Sequence, residues 1–123
     1  MSELLSVKLE DLYCSDIYLR EQDVERSVAA IQHGVPGSCS PIKVYHYPEF
    51  DGFIIWEGAA QAFAANLLGL KALAAELVLP GTDGEERVLN GFREALARGI
   101  RGVRDIRPFN LLDENAWKER RLI

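Results

Sequence analysis

One stretch, FIIWEGAAQAFAANLLGL from Phe53 to Leu70, constrains the fold more than any other part of the chain. It opens on Phe53–Trp56, four apolar residues that are β-branched or aromatic, which predicts a short buried strand. The alanine-rich segment that follows predicts a helix, and Gly69 predicts its end because glycine tolerates the positive φ common after a helix. A strand that turns into a helix at Glu57-Gly58 leaves backbone N–H groups available to an anion. Any strand–turn–helix unit shares this feature, so it predicts architecture better than chemistry.

The segment before this stretch predicts a strand and a helix. Leu4–Leu12 reads LLSVKLEDL, in which apolar and polar residues alternate with the period of a half-buried strand. Asp23 is a plausible N-cap for a helix that ends before Gly34. The apolar stripe of this helix consists of Val24, Val28 and Ile31.

A hairpin is predicted next. Ile42–Tyr45 reads as a second strand, and Asp51-Gly52 is strong turn chemistry, so Phe53–Trp56 is the expected hairpin partner. Ala72–Leu79 predicts a further strand, although its alanines are also compatible with a helix.

Two more helices are expected after Pro80-Gly81. A long helix begins at about Glu85 and ends at Gly99 or Gly102, and Asp113 caps a last short helix. The predicted core consists of Ile42, Val44, Ile54, Trp56, Phe63, Leu67, Leu68 and Phe92.

Charge is distributed unevenly along the chain. Its 123 residues fit one domain, and a net charge of −5 argues against non-specific coating of nucleic acid. Residues 1–86 carry five Lys/Arg and fourteen Asp/Glu, a balance of −9, whereas residues 87–123 carry nine and five, a balance of +4. The basic C-terminal third suggests self-association or an anionic partner, and a solvated charged helix face is the plainer interpretation.

The cations of this third form a candidate partner surface. Four of these cations, Arg98, Arg101, Arg104 and Arg107, are spaced three residues apart. This spacing would place them on one face of a helix or 3₁₀ turn, where they could follow a phosphate backbone or dock on an acidic protein. The glycines between them and Pro108 make a mobile basic segment equally compatible with the sequence. The set consists of Arg98, Arg101, Arg104, Arg107, Lys118, Arg120 and Arg121.

The two cysteines, Cys14 and Cys39, indicate a reducing cytoplasmic location, since the chain shows no signal peptide. They form no metal-ligand cluster, and no metal site is predicted. Cys39 lies in a polar loop, but no paired base is visible, so an ordinary free thiol is favoured over a nucleophile. No apolar run approaches the roughly 20 residues of a membrane span.

The order of these elements resembles the ParB/sulfiredoxin superfamily over roughly residues 5–79. The matching pieces are VKLEDL, AAIQHGV, PIKV, FIIWEG and the alanine-rich helix that continues into GLKALAAELV. The resemblance implies an α/β fold with a small mixed β-sheet and packed helices over residues 1–80. Residues 81–123 would form a basic helical extension packed on the same domain.

In that superfamily the glycine of the strand-to-helix turn opens a box that ends in arginine, whose guanidinium grips a nucleotide phosphate. Here the box reads Gly58-Ala59-Ala60-Gln61. Alanine supplies neither a nucleophile nor a proton donor, so the cysteine chemistry of sulfiredoxins is absent at this position. Gln61 carries no charge, and a charge-assisted hydrogen bond is about twice as strong as a neutral one. No cofactor is therefore expected; a nucleotide with Mg²⁺ is the alternative.

Three further residues are candidates beside this box. Arg20 matches an arginine that precedes the first helix in many superfamily members and lies near the nucleotide; a solvated helix-start residue is the equally good alternative. Glu57 could bind a metal or act as a base, although capping of the following helix is favoured. His46 is a weak catalytic candidate beside Tyr45, and His33 is expected at a helix C-terminus.

Two classes of function remain. The first is a degenerate, non-catalytic binding protein of a mobile element (plasmid or phage), which acts as an adaptor or inhibitor on a protein or nucleic acid through its basic third. The second is an active nuclease, nucleotide hydrolase or small-molecule kinase with a site rebuilt from Arg20, Glu57 and the Gly58 amides. The eroded box favours the first, although this rests on analogy between folds.

Overall fold

The computed structural model describes residues 4–16, 18–33, 41–46, 52–79, 81–107 and 111–121. Its strands are β1 (Leu4–Lys8), β2 (Leu12–Tyr13), β3 (Leu19–Arg20), β4 (Ile42–Tyr45), β5 (Phe53–Glu57), β6 (Ala72–Leu77) and β7 (Leu111–Leu112). Its α-helices are α1 (Glu21–His33), α2 (Ala59–Leu67), α3 (Glu85–Ala97) and α4 (Glu114–Arg121). None of the helices in these ranges is long and apolar enough to cross a membrane.

Five strands form one mixed sheet in the order β1-β6-β4-β5-β2. The β4–β5 and β1–β6 pairs are antiparallel, whereas β6 pairs with β4 and β2 pairs with β5 in parallel. A separate parallel pair joins β3 to β7, with Leu19 opposite Leu111 and Arg20 opposite Leu112. This confirms the predicted α/β class, the β4–β5 hairpin and the strand after α2. Asp51 of the predicted hairpin turn lies outside the described residues.

The two faces of the sheet are covered by different helices. One face packs on α2, which in turn packs on α1, and Val44 and Ile55 of the sheet share a buried cluster with Phe63 of α2. On the other face, Val88 and Phe92 of α3 pack against residues of β2, β4 and β5: Tyr13, Tyr45 and Ile54. α3 therefore packs on the sheet; the division at residue 80 itself stays a prediction.

Glu85 fastens the start of α3 to the sheet. Its Oε1 accepts a hydrogen bond of 2.9 Å from the Tyr45 hydroxyl, and its Oε2 accepts one of 2.7 Å from the Gly81 backbone N–H. A carboxylate in the first turn is also favourable because it complements the helix dipole. The predicted start of this helix is confirmed, and its end comes at Ala97.

Two predicted boundaries are wrong. The first strand ends at Lys8 instead of Leu12, because residues 9–11 form a 3₁₀ turn that keeps Leu9 buried and lets its N–H donate to the Lys71 carbonyl at 2.9 Å. Helix α1 starts at Glu21, so Asp23, the predicted N-cap, lies inside the first turn instead of before it. Both acidic residues lie in that turn, where the dipole favours them.

The prediction that Leu67 belongs to the core is also wrong. α2 has nine residues, and its buried side is formed by Ala62, Phe63, Ala64 and Ala65, while Leu67 at its last position is 59% exposed. Trp56 and Leu68 are only partly buried. The remaining predicted core residues are buried: Ile42, Val44, Ile54, Phe63 and Phe92.

Candidate functional site

The turn between β5 and α2 requires glycine for two reasons. Gly58 has a φ of +108°, which side-chain-bearing residues rarely adopt. A Cβ at this position would also stand 2.6 Å from Cγ2 of Ile42 on the neighbouring strand. The chain therefore passes closely over β4 before α2 begins, and Gly58 is the residue that permits it.

The start of α2 offers backbone N–H groups and little else. The Ala62 N–H already donates to the Gly58 carbonyl at 3.0 Å, so the N–H groups of Ala59, Ala60 and Gln61 are the ones that lie before the first helical bond. No acidic side chain lies in this first turn, and all three residues are partly buried. The box therefore supplies no ionisable group.

Glu57 does not serve as the expected cap of α2. The N-cap residue is Gly58, which has no side chain, and the Glu57 carboxylate lies 3.5 Å from the Lys43 ammonium across the β4–β5 pair. Glu57 is 71% exposed. Its carboxylate is accessible beside the turn, and a catalytic role for it stays a hypothesis.

Arg20 is held by the C-terminal helix. Its Nε and Nη2 both donate to Oε2 of Glu114, at 2.8 and 2.5 Å, and its Nη1 lies 3.8 Å from Asp23. Arg20 ends β3, which lies against α2. The one arginine expected near a nucleotide is therefore already neutralised by an internal carboxylate.

The two histidines lie away from the Gly58 turn. His46 follows β4 and its ring centroid is 5.6 Å from that of Phe53, at the opposite end of the hairpin from Glu57. Phe53 and Glu57 are four residue steps apart along β5, roughly 13 Å. His46 and Glu57 therefore do not share one site. His33 lies in the last turn of α1, as predicted.

The arginines after α3 do not form a single helical stripe. Arg98 lies 3.1 Å from Glu94 one turn earlier, and the chain then turns at Gly99, which has a φ of +80°. The Arg101 guanidinium lies over the Tyr13 ring, 4.9 Å from its centroid, and donates to the Tyr13 hydroxyl at 3.2 Å. The change of direction at Gly99 is why the three-residue step does not produce one face.

Arg101 and Arg104 nevertheless line one cleft of about 240 Å³. Asp105 beside them is engaged by backbone, since its Oδ2 accepts from the Arg101 N–H at 2.9 Å and from the Gly102 N–H at 3.2 Å. Arg107 is exposed, and Lys118 lies 3.9 Å from Glu114. The side chains of Arg120 and Arg121 lie outside the described part of the structure.

A larger cleft of about 600 Å³ was not anticipated from the sequence. It lies between α3 and the segment after β2, where the Ser15 hydroxyl donates to the Ile55 carbonyl at 2.6 Å. Its lining combines an aromatic ring with acidic, basic and amide groups: Ser15, Asp16, Trp56, Glu86, Arg87, Val88, Asn90, Gly91 and Glu94. No sequence pattern points to this cleft, because it forms only where α3 packs over the second face of the sheet.

Cys14 is fully buried, and burial raises the pKa of its thiol to about 12, with smaller contributions from Asp105 and Asp16. The thiol therefore stays protonated at neutral pH and is a poor nucleophile. Cys39 lies outside the described residues. Within the described ranges, no three His, Cys, Asp or Glu side chains are arranged to hold a metal ion.

The raised pKa of Cys14 predicts a pH-dependent loss of stability. An unfolded thiol ionises near its ordinary pKa of 9.0 and the folded one near about 12, so the unfolded state binds fewer protons between these values. The free energy of unfolding should therefore fall from about pH 9 to about pH 12, and less so in Cys14→Ala. Urea titrations of both proteins across this range measure it; parallel curves would contradict the assignment.

Comparisons with known proteins bear on the fold. No protein-family model and no curated protein matches the sequence. Among solved structures, a free serine kinase in complex with AMP matches 66% of this chain and 33% of its own, with 16% identity and a TM-score of 0.58. The C-terminally truncated chromosome-partitioning protein ParB from Caulobacter crescentus, complexed with CTP-γ-S, matches 78% of this chain and 54% of its own, with 24% identity and a TM-score of 0.53.

Sulfiredoxin from Arabidopsis thaliana matches 71% of this chain and 97% of its own, with 15% identity and a TM-score of 0.55. The chain spans about a third of the kinase and about half of the truncated ParB. Identities this low establish the fold alone. The chain has a ParB/sulfiredoxin-like α/β fold.

Proposed function

We propose that this chain is a non-catalytic binding domain built on a ParB/sulfiredoxin-like fold. The observation that carries the proposal is the hydrogen-bonded ion pair between Arg20 and Glu114. Glu114 pairs with the guanidinium that a nucleotide phosphate would need, and the residues of the Gly58–Gln61 box carry no charge. With no charged group inside the box and the Arg20 guanidinium already paired, stabilisation of the charge that develops in phosphoryl transfer has little to act on.

The partner in this proposal is an anionic macromolecule, a protein or a nucleic acid, that docks on the cleft of Arg101 and Arg104. Both residues are exposed, and the balance of +4 after residue 86 contrasts with −9 before it. Tyr13 holds the Arg101 guanidinium in place, which lowers the entropy that ordering this side chain would otherwise cost. An adaptor or inhibitor encoded by a mobile element is a role that suits such a domain.

Replacement of Arg101 and Arg104 by alanine tests the partner surface. We expect the double variant to lose capture of anionic partners from host lysate while its free energy of unfolding changes by less than about 2 kcal/mol, because Arg104 is exposed and Arg101 loses only its contacts with Tyr13. The matched control is Arg26→Ala/Lys71→Ala, which removes two exposed cations from residues 1–86, the acidic part of the sequence. If the Arg101/Arg104 variant still captures every partner, the surface is wrong.

The salt dependence of binding then identifies the class of partner. For a nucleic acid, the loss of two phosphate contacts should reduce the slope of log affinity against log salt by about two. For an acidic protein, the loss should appear mainly in the association rate.

An enzyme remains the second candidate, and the cleft of about 600 Å³ favours it. The cleft contains the Asp16 carboxylate and lies beside the strand that ends at Glu57. If this cleft is catalytic, Asp16→Asn removes activity. If the site is instead rebuilt at the Gly58 turn, Glu57→Gln or Arg20→Ala removes it, and Arg101→Ala/Arg104→Ala retains activity in both cases. The same variants therefore separate the two functions.

A further inference from the structure

The C-terminal segment Leu111–Arg121, here called the strap, contacts the rest of the domain through β7 and through Glu114. Its first two residues form β7, which pairs in parallel with Leu19 and Arg20 of β3, and Leu111 packs against the core. Beyond β7, the hydrogen bonds described between the strap and the domain are those from Arg20 to Glu114. The two-residue pair of β7 and the Arg20–Glu114 ion pair are thus two described attachments of the strap.

The rest of the strap depends on its own local structure. Asp113 caps α4 by accepting at Oδ1 from the Ala116 N–H at 2.8 Å, and its carbonyl accepts from the Trp117 N–H at 2.9 Å. α4 has only eight residues, and isolated helices of this length are marginal in water. Detachment of the strap would therefore be accompanied by loss of α4 rather than by movement of a stable helix.

Glu114 is well placed to act as an internal anion. It lies in the first turn of α4, where the helix dipole favours a carboxylate, and its Oε2 receives two donors of one guanidinium. The pair is only partly shielded, since the Arg20 side chain is 27% exposed and the Glu114 side chain 42%. Water and ions reach it, so an external anion can compete for the same guanidinium.

We propose that the strap is an autoinhibitory element in which Glu114 competes with phosphate-type anions for Arg20, so that binding of the anion and release of the strap are coupled. The proposal does not depend on the partner surface at Arg101 and Arg104. The anion takes the place of the Glu114 carboxylate on Arg20, Asp23 stays 3.8 Å from the guanidinium, and Glu114 enters solvent as α4 unfolds. By linkage, any ligand that binds only the released state must shift the domain toward it.

Glu114→Gln tests the coupling with inorganic pyrophosphate as the probe. The variant keeps the size of the side chain and removes its charge, so we expect pyrophosphate to bind about tenfold more tightly than to the unaltered protein in calorimetric titration. Amide hydrogen exchange in residues 114–121 should rise in this variant without ligand. In the unaltered protein it should rise on saturation with pyrophosphate.

Glu119→Gln is the matched control, because it removes the same charge from an exposed position of the same helix. It should leave both measurements unchanged. Arg20→Ala added to Glu114→Gln should abolish the gain in affinity, which excludes binding at other arginines. Equal pyrophosphate affinity in Glu114→Gln and Glu119→Gln, or saturation of the unaltered protein without faster exchange in the strap, would overturn the proposal.

Discussion

Gly91→Ala is expected to destabilise this protein by about 3 kcal/mol, in the upper part of the range for overpacking. Gly91 lies in the middle of α3, and a Cβ there would stand 2.1 Å from the Ser15 carbonyl oxygen. Alanine normally stabilises a helix relative to glycine by about 1 kcal/mol, so the clash must exceed that gain before any loss is seen.

The segment that carries Ser15 cannot easily move aside. The Cys14 N–H donates to the Arg101 carbonyl at 2.8 Å, and the Ser15 hydroxyl donates to the Ile55 carbonyl at 2.6 Å. These bonds hold the segment from two different directions, and Cys14 is fully buried. Relief of the clash therefore requires α3 itself to shift away from the sheet, with loss of the Phe92 packing.

Urea unfolding measures this effect, with Asn90→Ala as the control at the next position of the same helix. Asn90 is exposed, so its replacement should change stability by no more than about half a kcal/mol, in the stabilising direction. A loss below about 1 kcal/mol in Gly91→Ala would mean that the segment after β2 yields and that the close approach is not a constraint. The cleft beside Trp56 should then also change shape.

Patterns among neighbouring residues predicted the strands, turns and helices that follow one another directly along the chain. The apolar run Phe53–Trp56, the glycine at 58 and the alanine-rich segment after it specify a strand, a turn and a helix through short-range preferences. The β4–β5 hairpin follows from the same kind of information. These predictions are confirmed. They succeed because the secondary-structure propensities of these residues and their burial favour the same elements.

Contacts between distant residues could not be predicted in this way. Arg20 and Glu114 are 94 positions apart, and nothing in either local sequence identifies the other as a partner. The exposure of Leu67 depends on where α2 leaves the sheet, which the apolar spacing of the helix does not encode. The cleft lined by Asp16 and Asn90 exists only because α3 covers the second face of the sheet. Each of these features is set by the tertiary arrangement of elements rather than by their periodicity.

The Gly58–Gln61 box provides the second large expected effect. We expect the unaltered protein to bind ATP or CTP with Mg²⁺ no more tightly than about millimolar, because its box ends in the uncharged Gln61 and its nearby arginine is paired with Glu114. The double variant Gln61→Arg/Glu114→Gln should bind about a hundredfold more tightly. Gln61→Arg adds a charged donor, and Glu114→Gln frees the Arg20 guanidinium. Each change is expected to raise the affinity about tenfold, and the effects of independent changes multiply.

Calorimetric titration of the two single variants and the double variant forms a closed cycle that tests this multiplication. Gln61→Glu is the control, since it places the opposite charge at the same position and should not bind ATP measurably. If the double variant gains less than about threefold over the unaltered protein, Gln61 and Arg20 do not face one phosphate site, and the box has lost more than its arginine. If the unaltered protein already binds at micromolar concentrations, Glu114 is no barrier to the ligand and the enzyme becomes the better proposal. A hundredfold gain would instead show that this fold retains a phosphate cradle whose affinity is suppressed by two side chains.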